Sequence, residues 1–446
     1  STSGRTVAVK GAVCLAVLLA VTASAGVPRA SAEDEFERAP IGYSATTPDN
    51  AIEQLQARLD AGQISLAHDP RHGYLKSVLD ALRVPVSSQT LVFSKTSLQQ
   101  RLITPRTPRA LYFNDDVYVG SVPGGEVVEV SVADPMLGTV FYTLDQQATE
   151  HPRFRRRTDD CLICHGGSQT QGVPGHVIRS VYPDASGQPI FSAGSYRVDH
   201  TTPFRQRWGG WYVTGSHGTS THLGNITYTQ RPAGDGPDSS EGLNVSTLAD
   251  RCDTTLYLSP RSDIVPLMVL AHQTGAHNAI TRASFAVRAA LHREAALNRD
   301  LGEPAGTRWP STDTVLNTAA DRLVACLLFE DEEFPETPLV GGGSFGEEFR
   351  SIGPRDARGR SLRDLDLETR LLRHPCSFLI YTKSFDALPE ELRILFWKRM
   401  DEVLAAGDQD DGRSRLSDGD RVAIREILAA TKPGAPAHWS IPSIDE

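Results

Sequence analysis

Methionine is scarce in this chain. Only Met136, Met268 and Met400 occur in 446 residues, so any chemistry that needs a thioether has three candidates. Cysteine is little better supplied, with six. Apolar runs are rarer still. Gly11 to Val27 is the single long one, and no later stretch is long and apolar enough to span a membrane. Basic residues are outnumbered, 45 against 55 acidic, for a formal net charge of -10. That balance argues against a nucleic-acid partner. No internal repeat is visible, and Gly341-Gly342-Gly343 lacks the Gly-Lys-Ser/Thr ending of a phosphate-binding loop.

The one apolar run sits where an export signal would. Arg5 and Lys10 give a short basic start, the run follows without a charge, and Ala30-Ser31-Ala32 offers a small-residue cleavage site before Glu33-Asp34-Glu35. An earlier site after Ala25 and an uncleaved anchor are the alternatives. The run is 17 residues, short for a span. Cys14 lies inside it and not at its end, which disfavours a lipid-anchored N-terminus. Cleavage after Ala32 leaves 42 basic and 55 acidic residues on about 414. That length holds two or three domains.

Five cysteines then remain, and two of them open the most informative stretch of the chain. Cys161-Leu162-Ile163-Cys164-His165 has the C-x-x-C-H spacing of c-type haem attachment. Two thiols add across the two vinyl groups of one porphyrin, and the histidine after the second cysteine reaches the iron from the proximal side. Such attachment takes place outside the cytoplasm, so the export signal supports the motif. A structural zinc site would need a second Cys or His pair, and Cys252, Cys326 and Cys376 are scattered singly. A thioredoxin-type pair would sit in a βαβ unit, which the surrounding pattern lacks. One covalent haem c is therefore expected, with Cys161 and Cys164 as its attachment points and His165 as the iron ligand. Cys252, Cys326 and Cys376 fit either one disulfide and one thiol or three buried thiols.

Around the motif the chain reads as α+β. After the signal (1–32), residues 33–245 form a strand-rich region that carries the motif, and 246–446 form a mostly helical one. Asp49 can cap a first helix that stops at Gly62, and a second runs from about Tyr74 to Leu82. Runs at 110–113, 117–119, 127–132 and 139–144, cut by Gly, Pro and Asp, predict an antiparallel meander. Strands resume at 177–182, 190–192, 196–198 and 211–214. Residues 231–242 are rich in Pro, Gly, Asp and Ser and read as a linker. Beyond them Ser262 can cap a long helix to about Asn298, a helix spans 313–329, and another starts at Pro389 and closes at Gly407. Ser417 with Asp420 caps a last one.

The sixth iron position has several claimants. Met400 lies on a helix stripe and reads as core. Met136 follows Asp134-Pro135 in a turn. His217 and His222 lie in a glycine-flanked loop that could close over a flat porphyrin. Met268 and His272 are four apart and share a helix face, while His277 points elsewhere. His217, His222, His272 and Met268 are thus the distal candidates, with the loop preferred. Each also has a plain structural reading, and an open or water-filled position is the remaining case. Arg153, Arg155, Arg156 and Arg157 either meet propionates or an acidic partner, or form a solvated basic strand edge. Trp208 and Trp211 either wall a haem pocket or pack an ordinary core.

Several further segments carry a resemblance. Ser94-Lys95-Thr96-Ser97, the run from Arg106 to Asp116, Trp208-Gly209-Gly210-Trp211-Tyr212 and Cys376-Ser377-Phe378-Leu379-Ile380-Tyr381 resemble large single-haem c-type cytochromes of bacteria. The likeness covers most of the mature chain and brings no substrate with it. It implies the attachment roles of Cys161, Cys164 and His165 and nothing more. The chain departs from small class I cytochromes, because its motif is mid-chain and no Met stands in a C-terminal ligand loop. The expected activity is electron transfer in the periplasm with a redox partner protein or a small-molecule donor or acceptor, without nucleic acid or a membrane span. A haem enzyme with an open iron site, such as a peroxidase or small-molecule oxidoreductase, and a redox or gas sensor are the alternatives.

Overall fold

β-Branched and aromatic runs broken by Gly, Pro and Asp build a seven-stranded antiparallel sheet. The computed structural model describes residues 32–229, 239–405 and 416–439. Its strands are β1 (Thr90–Val92), β2 (Arg109–Phe113), β3 (Val117–Ser121), β4 (Val127–Asp134), β5 (Gly138–Asp145) and β6 (Phe154–Arg157). Next come β7 (Arg179–Val181) and β8 (Ser195–Arg197), a separate two-stranded ribbon, and then β9 (Trp211–Tyr212). The order across the large sheet is β6-β5-β4-β3-β2-β1-β9. The expected signal peptide lies outside the described residues but for Ala32, as do most of the 231–242 linker and Gly407.

Period-two alternation gives the sheet two distinct faces. Ala110, Tyr112, Val119, Val128, Val130, Tyr142 and Leu144 share a core with Ile52 and Leu55 of helix α1 (Ala51–Asp60) and with Val78 and Leu79 of α2 (Leu75–Leu82). The opposite face carries Phe113, Tyr118, Glu129, Ser131, Thr139 and Phe141, as the register dictates. The C-x-x-C-H stretch ends in the one-turn helix α3 (Leu162–His165). Across the second face lies α4 (Ile264–Leu301), 38 residues and roughly 57 Å long. Gln273 donates to the Asn114 carbonyl at 2.7 Å and to the Tyr118 hydroxyl at 2.8 Å, and His277 Nε2 donates to the Asp115 carbonyl at 2.7 Å.

The remaining helices are α5 (Pro310–Leu327), α6 (Phe345–Ser351), α7 (Lys383–Asp386), α8 (Glu390–Ala405) and α9 (Asp418–Thr431). Of these, α5, α6 and α7 pack against α4, α6 and α7 also reach the sheet, and α8 and α9 extend the layer beyond α5. One core runs from Phe113 and Tyr118 on the sheet through Met268 and Ile280 to Phe378, Phe396 and Ile427. The strand-rich and helical regions therefore share buried surface. The fold is α+β.

Helix ends depart from expectation by one residue in two places. Asn50, not Asp49, caps α1, accepting from the Ile52 N–H at 3.0 Å. Asp263, not Ser262, caps α4, accepting from the Val265 N–H at 3.0 Å. Ser262 is drawn instead into the sheet, where its hydroxyl donates to the Tyr212 carbonyl at 2.6 Å and accepts from the Leu91 N–H at 2.9 Å. Ser417 and Asp420 form the expected capping box. Residues 191–193 form a 3₁₀ turn, not a strand.

Asp263 also explains the glycine triplet. Its second carboxylate oxygen accepts from the Gly342 N–H at 2.6 Å and the Gly343 N–H at 2.8 Å. One side chain thus caps the long helix and staples the 341–343 loop. Asp263→Ala removes a cap and two charge-assisted bonds, so it should cost roughly 2 kcal/mol or more. Urea unfolding of the two proteins reads this directly, and an unchanged midpoint would contradict it.

Candidate functional site

The turn at 161–165 is short and tight. The Cys161 carbonyl accepts from the Cys164 N–H at 3.3 Å and the His165 N–H at 2.9 Å. Residues three and four apart share one side of a helical turn, so both sulfurs and the imidazole leave the same side. The two cysteines carry free thiols, Cys161 half-buried and Cys164 exposed. Burial, and then the charge of Glu129, pushes the Cys161 thiol up to about 11. Ile163 between them is 75% exposed. Gly166 ends the turn where a Cβ would stand 2.9 Å from the Leu162 carbonyl oxygen and 3.0 Å from the Phe36 ring. Glycine is what lets the turn lie against Phe36.

His165 is held by a segment that sequence reasoning overlooked. Its Nδ1–H donates to the Gly175 carbonyl at 2.9 Å, and the Gly175 N–H returns a bond to the His165 carbonyl at 2.9 Å. Gly175 is fixed in turn beside α4: Asn278 Oδ1 accepts from the His176 N–H at 2.9 Å, and a Cβ on Gly175 would sit 2.3 Å from that oxygen. The imidazole lies 5.0 Å from the Phe141 ring. Burial holds its pKa below the usual histidine value, so the ring is neutral. With Nδ1 protonated and engaged, the lone pair is on Nε2. That atom has no hydrogen-bond partner among the described residues and is not sealed from solvent. Metal-ligating histidines commonly donate their far nitrogen in this way, and here the bond fixes the ring and leaves Nε2 available. Pro174-Gly175, ten residues past the motif, was the one signal the sequence offered.

This donor set fits a covalently attached haem: two unbridged thiols one turn apart, one partly accessible and one exposed, and a neutral, oriented imidazole. Cys161, Cys164 and His165 would hold it. Among the described residues no group of three or more His, Cys, Asp or Glu is arranged to cage a metal ion.

Among the described residues, none of the four distal candidates has a hydrogen bond or ring contact with His165. Thr214 bonds to Ser262 and Ile264 beside the start of α4, and Gly215 abuts Ile264. The Gly175–His176 segment meets α4 at Asn278, fourteen residues on, or about 21 Å along the axis. His217 and His222 form a buried aromatic cluster with Phe204 and Trp208, their ring centroids 4.7 Å apart. His217 Nε2 accepts from the Asn244 N–H at 3.1 Å, and His222 Nδ1 accepts from the Gly224 N–H at 2.9 Å. Each ring's lone pair is thereby used, and the other nitrogen carries the proton. His272 contacts His200 through paired Nδ1 atoms at 3.3 Å and Ser377 Oγ through Nε2 at 2.7 Å, and stacks on Phe329 at 3.8 Å. The Met268 sulfur accepts from Arg207 at 3.1 Å.

Other residues near the motif also find structural partners. Trp208 and Trp211 are buried core. Arg155 and Arg157 lie on edge strand β6, paired with Asp145 and Asp160, and Arg156 bonds the Tyr43 and Thr46 carbonyls. Cys252 and Cys376 are buried thiols, and Cys326 is half-buried. A histidine absent from the sequence argument, His176, stands on the same sheet face, bonded to Ser131 Oγ at 2.9 Å and Thr139 Oγ1 at 3.2 Å. Comparison with protein families, with curated proteins and with solved structures returns no match.

Proposed function

We propose that the chain is an exported, single-haem c-type cytochrome that transfers electrons in the periplasm, exchanging them with a redox protein or a small-molecule donor or acceptor. The observation that carries this reading is His165. Its Nδ1–H is committed to Gly175 and its Nε2 is left open, one turn from two unbridged thiols. A haem bound there supplies one-electron chemistry at its iron. The protein's part is to hold the imidazole neutral and oriented and to present both sulfurs on one side of a turn. The apolar Gly11 to Val27 run and Ala30-Ser31-Ala32 support export.

A second reading is a haem enzyme or a redox or gas sensor with an open iron position. It is favoured by one observation: one ring nitrogen each of His217 and His222, both ring nitrogens of His272 and the sulfur of Met268 are engaged by other partners.

The test is an optical and low-temperature electron paramagnetic resonance study of the purified periplasmic protein, oxidised and reduced. Haem absorbance that survives denaturation and acidic organic extraction is the expected result. Its absence would remove the haem reading. A low-spin ferric signal favours the carrier. A high-spin one favours the open site, and substituting His217, His222 or His272 should then leave the signal as it is.

A further inference from the structure

The sheet face that supports His165 also holds an ion pair. Arg109 on β2 and Glu129 on β4 meet at 2.5 Å, with their side chains 17% and 15% exposed. Register locates the pair. Ser131 stands opposite Phe141 and Glu129 opposite Thr143, so Glu129 and Phe141 are diagonal neighbours on one face, ~7–8 Å apart. Phe141 is the ring against which the His165 imidazole lies.

The sheet is shaped to receive the arginine. Its guanidinium crosses Gly120 so closely that a Cβ there would stand 2.2 Å from Nη2. Arg109 Nε is buried without a partner. Direction matters as well. His165 Nδ1 faces Gly175, on the side where His176 bonds Ser131 and Thr139. Nε2, at the other end of the ring, faces away from that carbonyl.

Building on the haem reading above, we propose that Arg109 and Glu129 form a balanced charge pair beside a haem held by Cys161, Cys164 and His165, each member shifting its reduction potential in the opposite direction. Uptake of one electron from a redox partner makes the site more negative by one charge. Glu129 opposes that change and Arg109 favours it, so the intact pair nearly cancels. Removing either member uncovers the other in a poorly solvated place, where a unit charge is weakly screened.

The experiment is a spectroelectrochemical titration of the holoprotein and its variants. Glu129→Gln should raise the midpoint potential and Arg109→Gln should lower it. Each shift should change the reduced-to-oxidised ratio at fixed potential by about tenfold, ~59 mV for a one-electron couple. The double variant should return close to wild type, and Arg109→Lys, which keeps the charge, should stay there. Single variants that move in the same direction, or do not move while retaining haem, overturn the proposal. A merely structural pair would admit water when broken from either side and would give shifts of one sign. Should one glutamine variant fail to fold, the other single variant and the double decide by the same rule. Wild-type protein without covalent haem would overturn the underlying reading instead, and the extraction assay detects that separately.

Discussion

Replacing Cys161 and Cys164 together with alanine should abolish covalent haem completely. The denatured, solvent-extracted chain would lose its haem stain, while the wild type keeps it. The reason is chemical: each thioether needs one sulfur, and extraction removes a haem held only through its iron. Each single variant should therefore retain the stain, because one thioether resists extraction. His165→Ala should retain it too, since both sulfurs remain, but with an altered ferric spectrum. The polypeptide itself should survive these changes. Cys164 is exposed and Cys161 only half-buried, so trimming either sulfur opens no large cavity. A stain that persists in the double variant would sink the attachment argument.

Acid should destabilise this protein strongly, and from a higher pH than carboxylates alone would explain. His176, His200, His222, His272 and His277 are all buried. Burial lowers the pKa of each, His200 to about 4. In the unfolded chain all five titrate near 6.5. As pH falls through that value, the unfolded chain takes up protons that the fold refuses, so stability present above pH ~6.5 is lost progressively below it, for His200 down to about 4. For His200 alone, a fall from about 6.5 to about 4 corresponds to about 3 kcal/mol. The other four rings act in the same direction. Asp116 works the other way. Burial, and then the charge of Asp115, raises it to about 6, so the fold binds its proton first and gains on acidification. One carboxyl does not offset five imidazoles. Urea midpoints at pH 7, 6 and 5 should decline steadily. A flat series would mean the rings are not held neutral.

The sequence was most legible where local chemistry decides structure. The meander at 110–144 declares itself through β-branched alternation between turns, and four strands fall there. The capping box of Ser417 and Asp420 is as written. Caps chosen by tertiary context were not legible. Ser262 has the right chemistry to cap α4, but the sheet takes its hydroxyl, and only the folded arrangement shows this. The same distinction governs the site. Cys161, Cys164 and His165 are adjacent in sequence, so their spacing is visible. The bond that orients His165 comes from Gly175, and the ion pair beside Phe141 joins residues twenty apart. His217 and His222 promised a mobile, glycine-flanked loop. Backbone N–H groups of Asn244 and Gly224 instead occupy their lone pairs, and no composition argument foresees that.

The long helix across the sheet has a kinetic consequence. Its anchors join residues far apart in the chain: Asn278 to His176 across 102 positions, Gln273 to Asn114 across 159, and His277 to Asp115 across 162. Chains dominated by such distant pairings close late, because loop entropy must be overcome before the contacts form. Gly175, which orients His165, depends on Asn278 and so on the docking of α4. During synthesis the 161–165 turn therefore emerges well before the part of the chain that locks it. The thiols meet their surroundings first, and the imidazole is aimed afterwards.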